Sequence, residues 1–418
     1  MRRILIIVAS IIVILGIGVT LYIVFFGTPS AQLTVNSSNP FGDTGSGVAT
    51  QSTGQVASSG QAGTVVAPNL IEITSSPVAA GVSIVDNLPA TTTLISAASS
   101  SVSDSTSTVS SGQQSSGNDV VVHYIDRESG NVYSYGALSR SLTRISNKTL
   151  PGIQLASWLS DGSLAFVQFI AQADGSNQLD TYALPSNGAD GFFLQSNLAQ
   201  VSAQQSGSVF TLAAGTDSSI GSVANSDGSD VKTVFTTPLT SLNVYPAGNG
   251  YVAATKAASE IDGYAFTVTS SGNFLPLIGP LKGLTVLPSP SGSQVLYSYT
   301  DGTSFHMSVL NVATGGVTAL PLATLAEKCV WTSDESALYC GVPESMTGNL
   351  PDTWYQGTTS FSDRLWKIDL TSRLATLVID PSQTAKTAID AVNLSIDPNS
   401  QVLVFRNKID GSLWAYSL

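Results

Sequence analysis

A short turn built from Ser, Asp, Gly and Pro, set between two apolar runs, returns along this chain at near-constant intervals. Nothing else in the sequence restricts the fold as much. Its copies begin with Trp158-Leu-Ser-Asp-Gly162, Val201-Ser-Ala-Gln-Gln-Ser-Gly207 and Val244-Tyr-Pro-Ala-Gly-Asn-Gly250. Leu287-Pro-Ser-Pro-Ser-Gly292, Trp331-Thr-Ser-Asp-Glu-Ser336 and Leu394-Ser-Ile-Asp-Pro-Asn-Ser400 follow. With Gly162, Gly207, Gly250, Gly292, Ser336 and Ser400 as markers, the spacings are 45, 43, 42, 44 and 64. All but the last match the ~40–45 residues of a four-stranded propeller blade. The last unit carries about 20 further residues, near 343–361, relative to that period.

Each unit continues with two more strands separated by Gly or Asp turns. Third strands are recognisable at Asn131–Tyr135, Leu179–Tyr182, Leu365–Ile368 and Leu413–Tyr416. They alternate or are wholly apolar, as strands buried between stacked sheets must be. No segment beyond Phe26 keeps a helical period for three turns, so the expected fold is all-β. The final unit has three strands and lacks its outer one. Leu70-Ile-Glu-Ile-Thr-Ser-Ser-Pro77 reads like the fourth strand and exit of another unit, Leu142-Thr-Arg-Ile-Ser-Asn-Lys-Thr149. Residues 69–74 are therefore expected to complete the last blade and close the ring. Gly81–Val85 and Val120–Tyr124 then become the first two strands of the first blade. The expectation is a seven-bladed β-propeller over 69–418, with six or eight blades if a central unit is divided differently.

The residues before the repeats have a different character. Arg2 and Arg3 precede an uncharged run from Ile4 to Phe26, long enough at about 1.5 Å per residue to cross a bilayer as a helix. A cleaved signal peptide is the alternative, but its apolar core is normally about 7–15 residues and ends in small residues. Here the run ends in Val24, Phe25 and Phe26. Residues 1–27 thus read as a cytoplasmic tip and signal-anchor helix. Positive charge before the helix places the rest of the chain outside the cytoplasmic membrane. Residues 28–68, rich in Ser, Thr and Gly, are expected to be a disordered tether, and 87–118 a disordered insertion in the first blade.

Composition excludes several functions. Lys and Arg total 16 against 28 Asp and Glu, a net charge of −12, which is no basis for holding a row of phosphates, so no nucleic-acid partner is expected. Two His and two Cys exclude a metal centre built mainly from those ligands, and neither a metal nor a cofactor is expected. The Asp-Gly turns at Asp174–Asp180 and Asp227–Asp230 could be read as calcium loops. Tight hairpin turns use the same residues, and neither segment has the glutamate of an EF-hand loop. His123 and His306 fall in distant units, with no Gly-x-Ser-x-Gly elbow or phosphate-binding loop to join them.

Cys329 and Cys340 flank a hairpin centred between Asp334 and Glu335 and so face each other across adjacent strands. Outside the membrane such a pair can oxidise, so a disulfide is expected, with a buried thiol pair as the alternative. Four Trp residues occupy repeat positions. Trp354 does not: it lies in the 343–361 insertion with Asp352, Tyr355 and Gln356. An aromatic loop on a rigid ring is a usual way to present a binding site, so these four are the candidate binding residues. The alternative is that Trp354 folds back and plugs the blade edge or the channel mouth.

The turns resemble those of the WD-repeat-like and TolB-type propellers, without the Trp-Asp or Gly-His signatures of typical WD repeats. The stretches Lys328-Cys-Val-Trp331, Leu338-Tyr-Cys-Gly-Val-Pro343 and Pro351–Gly357 are similar to membrane-anchored propellers of uncultured small-genome bacteria. That resemblance implies a cell-envelope location and no particular activity, because fold does not determine function. The expected function is a non-catalytic, membrane-tethered module that binds a protein, a peptide or an envelope polymer. A glycan hydrolase or lyase at the channel mouth and a structural envelope component are the alternatives.

Overall fold

The computed structural model describes residues 59–61, 63–86, 119–173, 176–346 and 348–418. The expected membrane helix and the 87–118 insertion lie outside these residues. Among the described residues no helix is long and apolar enough to cross a membrane.

Strands account for nearly all the secondary structure, arranged as antiparallel meanders in chain order. Two four-stranded sheets run from Ile153–Trp158 to Phe192–Phe193 and from Leu198–Ala203 to Lys232–Thr237. A seven-stranded sheet follows, from Leu242–Ala247 to Val317–Ala319. It is two meanders sharing the long strand Phe274–Pro288, whose pairing with the next strand is interrupted between Lys282 and Thr285. Cys329–Trp331, Ala337–Pro343, Asp363–Asp369 and Ala375–Ile379 make the next sheet.

The first strands of successive meanders touch one another: Ile153–Trp158 meets Leu198–Ala203, which meets Leu242–Ala247, which meets Phe274–Pro288. Cys329–Trp331 meets Ala391–Ile396, and Ala391–Ile396 meets Ser83–Asp86. Backbone bonds from Ala80 to Gln154 and from Ala156 to Ala80 return the circuit to Ile153–Trp158. The fold is a β-propeller with first strands innermost. Apart from the bridge between Ala80 and Leu155, no main-chain pairing joins these strands among the described residues, and side chains fill in. The Gln200 amide mimics a ladder partner, accepting from Val244 N–H at 2.9 Å and donating to Val244 O.

Sheets stack through apolar faces on both sides. All seven residues of Ala337–Pro343 are buried, as are five of six in Val402–Asn407. Leu403, Phe405 and Trp414 pack with Tyr339 and Leu365 on one side of their sheet. Val404, Leu413 and Ala415 pack with Val122, Tyr124 and Tyr135 on the other.

One sheet contains strands from both ends of the described chain. Ala391–Ile396, Val402–Asn407 and Leu413–Ser417 are followed by Leu70–Thr74, which pairs antiparallel with Leu413–Ser417. Thr64–Ala67 adds a fifth strand outside Leu70–Thr74. Ser59–Gln61 pairs with Ser141–Arg144, the outer strand of the neighbouring sheet. The tether expected over 28–68 is therefore corrected at its end: 59–61 and 64–67 are strands. Thr64, Val65 and Val66 form a β-branched triplet, and the outer edges of both sheets offer it and Ser59–Gln61 unpaired backbone.

Leu70 is fully buried, whereas Val65 is 49% exposed. Leu70→Ala is expected to cost about 2–5 kcal/mol in urea unfolding, and Val65→Ala about 0.5 kcal/mol. Equal losses would show that the closing strand is no better packed than the edge beside it.

Candidate functional site

The two ends of the ring differ. The turns between first and second strands lie at one end. The connections between second and third strands, including the 343–361 insertion, lie at the other.

At the insertion end a single turn of helix, Asp352–Tyr355, is locked down by its own side chains. Asp352 Oδ2 accepts from Ser259 N–H at 2.6 Å. Tyr355 donates its hydroxyl to Glu327. Trp354 is 5% exposed and packs with Leu325, Leu350, Phe361 and Val392. Its Nε1–H donates to Asp390 Oδ2 at 2.9 Å, and its ring lies under two ammonium groups, Lys328 Nζ at 5.1 Å and Lys408 Nζ at 4.7 Å. Lys408 Nζ also donates to the Trp354 carbonyl at 2.7 Å.

The expectation that Trp354 presents itself to a partner is thus corrected. An indole that finds a buried acceptor for its N–H and cations for its face gains more inward than in solvent. Tyr355 and Gln356 are exposed, and Asp352 is spent on Ser259. The charged residues behind Trp354 carry no local sequence signal. Lys328 Nζ sits between Asp390 Oδ1 and Asp363 Oδ2, all three side chains without solvent exposure. Burial pushes the Asp363 carboxyl up to about 6 despite the adjacent Lys328. Burial also raises Glu327 and lowers Lys408.

At the opposite end lies an open hollow of about 590 Å³. Inner strands bring Leu287, Pro288, Val330, Trp331 and Leu394 to its wall, and the turns contribute Gln204, Gln205, Asn249 and Pro290. Tyr251 faces it as well, its hydroxyl accepting from Gln204 Nε2 at 2.7 Å and its ring packed 4.8 Å from that of Phe210. Trp331 Nε1–H donates to Leu287 O at 3.2 Å, which sets its ring across two inner strands. The side chains of Gln205 and Asn249 stand exposed at the rim. No Asp, Glu, His, Lys or Arg is among the described residues that line it. Glu335 belongs to an adjoining depression, where it accepts from Ser291 N–H at 2.5 Å and Ser291 Oγ at 2.7 Å. The repeat places these residues in first strands and turns, but only ring geometry brings five units to one hollow.

Cys329 lines this hollow and pairs directly with Cys340 across the hairpin, where the two form a disulfide. His123 and His306 do not converge. His123 is buried and donates from Nδ1 to Gly162 O at 3.2 Å, while His306 Nε2 lies 2.8 Å from Asp301 Oδ2. Among the described residues no group of three or more His, Cys, Asp or Glu is placed to hold a metal ion.

Two outcomes follow from this geometry. Trp354→Ala is expected to lower stability by about 3–5 kcal/mol in urea unfolding followed by circular dichroism; a loss below 1 kcal/mol would mean that the indole contributes little as a plug. The second concerns the turn beside the hollow, where hydrogen bonds from the Thr332 and Ser336 side chains and the Ser336 N–H hold Asp334 down at about 2, from 3.8. A depressed carboxyl contributes stability above its unfolded value and loses it as pH falls through the folded one. Asp334→Asn should therefore flatten the wild-type loss of stability between 3.8 and about 2 in urea unfolding at each pH, leaving the variant less stable than the wild type at neutral pH, with the gap closing toward the acid end.

No protein-family model matches the sequence, and no curated protein matches it. Solved structures do resemble it in shape. Oligogalacturonate lyase from Vibrio parahaemolyticus aligns over 72% of this chain and 86% of its own at 9% identity, with a TM-score of 0.51. The β-propeller domain of the Trilobed protease from Pyrococcus furiosus covers 72% of this chain and 89% of its own at 8% identity, with a TM-score of 0.47. TolB from Acinetobacter baumannii covers 60% of this chain and 59% of its own at 12% identity, with a TM-score of 0.40. At 9% identity the likeness to the lyase is one of fold alone.

Proposed function

We propose that this chain is a membrane-tethered, extracytoplasmic, seven-bladed propeller that binds an uncharged stretch of a peptide or envelope polymer, without catalysing a reaction on it. The observation that carries the reading is the 590 Å³ hollow, whose lining combines apolar surface with amide groups and contains no acidic, basic or imidazole side chain. Proton transfer needs a group that titrates within reach of the substrate, and among the described lining residues that leaves Tyr251, whose phenol is raised by burial and already held by Gln204. Apolar walls with a few placed amides are instead what orients and holds a neutral chain.

The count of seven rests on taking the seven-stranded sheet as two blades that share Phe274–Pro288. The tether rests on the Ile4–Phe26 run, and the compartment on that run together with the Cys329–Cys340 disulfide, which suits an oxidising environment. A catalytic reading would start from Glu327 at the insertion end, the carboxyl raised by burial. Tyr355 already donates to that carboxyl, and the Asp352–Tyr355 turn stands against it, so Glu327 is half-buried and engaged.

The test compares the solubilised full chain with its Gln205→Ala/Asn249→Ala double variant on immobilised envelope polymer and on a panel of neutral peptides. Both substitutions are at exposed rim positions and should leave unfolding unchanged. Binding should weaken about tenfold, the equivalent of one or two lost hydrogen bonds. Undiminished binding by the double variant, with loss on Tyr355→Ala/Gln356→Ala, would move the site to the insertion end.

A further inference from the structure

Lys328 occupies an unusual position. It ends the short turn Ala326–Lys328, directly before Cys329–Trp331, with its side chain wholly inside the protein. Its Nζ contacts Asp390 Oδ1 and lies 2.8 Å from Asp363 Oδ2. The Trp354 and Phe361 rings flank the same nitrogen at 5.1 and 5.2 Å, closing it off from water.

The two carboxyls are held differently. Asp390 Oδ2, the oxygen away from the ammonium, accepts from Trp354 Nε1–H at 2.9 Å and from Phe361 N–H at 3.1 Å. Asp363 Oδ2 accepts from Ala391 N–H at 2.7 Å, and its Oδ1 is buried with no hydrogen-bond partner among the described residues. One cation faces two carboxyls here, and burial shifts Asp363 upward, which makes its carboxylate a ready acceptor for a proton that it can then pass on.

As separate ions these groups carry a heavy desolvation cost. The same atoms joined as a neutral amide would not. Condensation of an amine with a carboxylic acid needs the two in contact, donors fixed on the oxygen that gathers negative charge, a relay for the proton, and no competing water. The pocket supplies each.

We propose that Lys328 and Asp390 condense to form an intramolecular isopeptide bond. Lys328 first passes a proton to Asp390, giving a neutral amine and a neutral acid. The Nζ lone pair attacks Asp390 Cγ, and the developing oxyanion on Oδ2 rests on the Trp354 and Phe361 N–H groups. Asp363 takes the proton released by Nζ and delivers it to Oδ1. The Cγ–Oδ1 bond breaks, and Oδ1 leaves as water. Amine plus acid has become amide plus water, with nothing oxidised or reduced. The bond joins the sheet that carries the insertion to the sheet of Ala391–Ile396, one residue from the disulfide at Cys329.

The experiment is an intact mass of the full chain, reduced and denatured. The wild type should be one water lighter than its sequence mass, and a digest should contain a branched peptide linking Lys328 to Asp390. Lys328→Arg, which keeps the charge without an acylable amine, should recover the full mass. Asp363→Asn, which keeps the shape without the relay, should recover it wholly or mostly. A wild type of full mass overturns the proposal whatever the variants do. So does a missing water without the branched peptide, or a branch to Asp363 in place of Asp390.

Discussion

Every sheet of this molecule is apolar on both faces, and that governs the rest. A sheet such as the one holding Val402–Asn407 has no solvent side. It is stable only where a neighbour covers each face. A row of such sheets always leaves two bare faces at its ends, and closing the row into a ring removes them. Both exposed faces would otherwise be large contiguous apolar patches, which invite aggregation. Leu70–Thr74 meets this demand from far away in the sequence by pairing with Leu413–Ser417.

Closure leaves an axis where inner strands approach with little main-chain pairing, and polar side chains gather there. The two ends have used this space in opposite ways. At one, Trp354, Tyr355 and Asp352 spend their hydrogen-bonding capacity on Asp390, Glu327 and Ser259. That end is filled and charged underneath. At the other, Gln205 and Asn249 stand free above an apolar floor of Leu287, Val330 and Leu394. The insertion thus fills one end of the ring, and the other stays open.

The units could be read from sequence because their turns are chemically conspicuous: Ser-Asp-Gly and Ser-Pro-Ser-Gly have few conformations open to them. Strand reversals do fall at Asp161, Pro290 and Asp334. The direction of Trp354 could not be read, since an aromatic residue in a loop has the same local sequence whether it faces out or in. Its partners explain the outcome, and these come from three separate connections. Lys328, Asp363 and Asp390 pose the same problem: each begins or precedes a strand unremarkably, and only the stacking of two sheets puts them together. Residues 59–67 were hidden for another reason. A strand with only Val65 and Val66 to mark it looks like its Ser/Thr-rich surroundings until a sheet edge selects it.

The shared sheet has a consequence for biosynthesis. Leu70–Thr74 is made before its partner strand, which ends at Ser417, so the pairing waits for more than three hundred residues of translation. Loop-closure entropy grows slowly with length, so the delay costs little at equilibrium. Kinetically it is different, because the early strand and the first sheets exist for that whole interval with uncovered apolar faces.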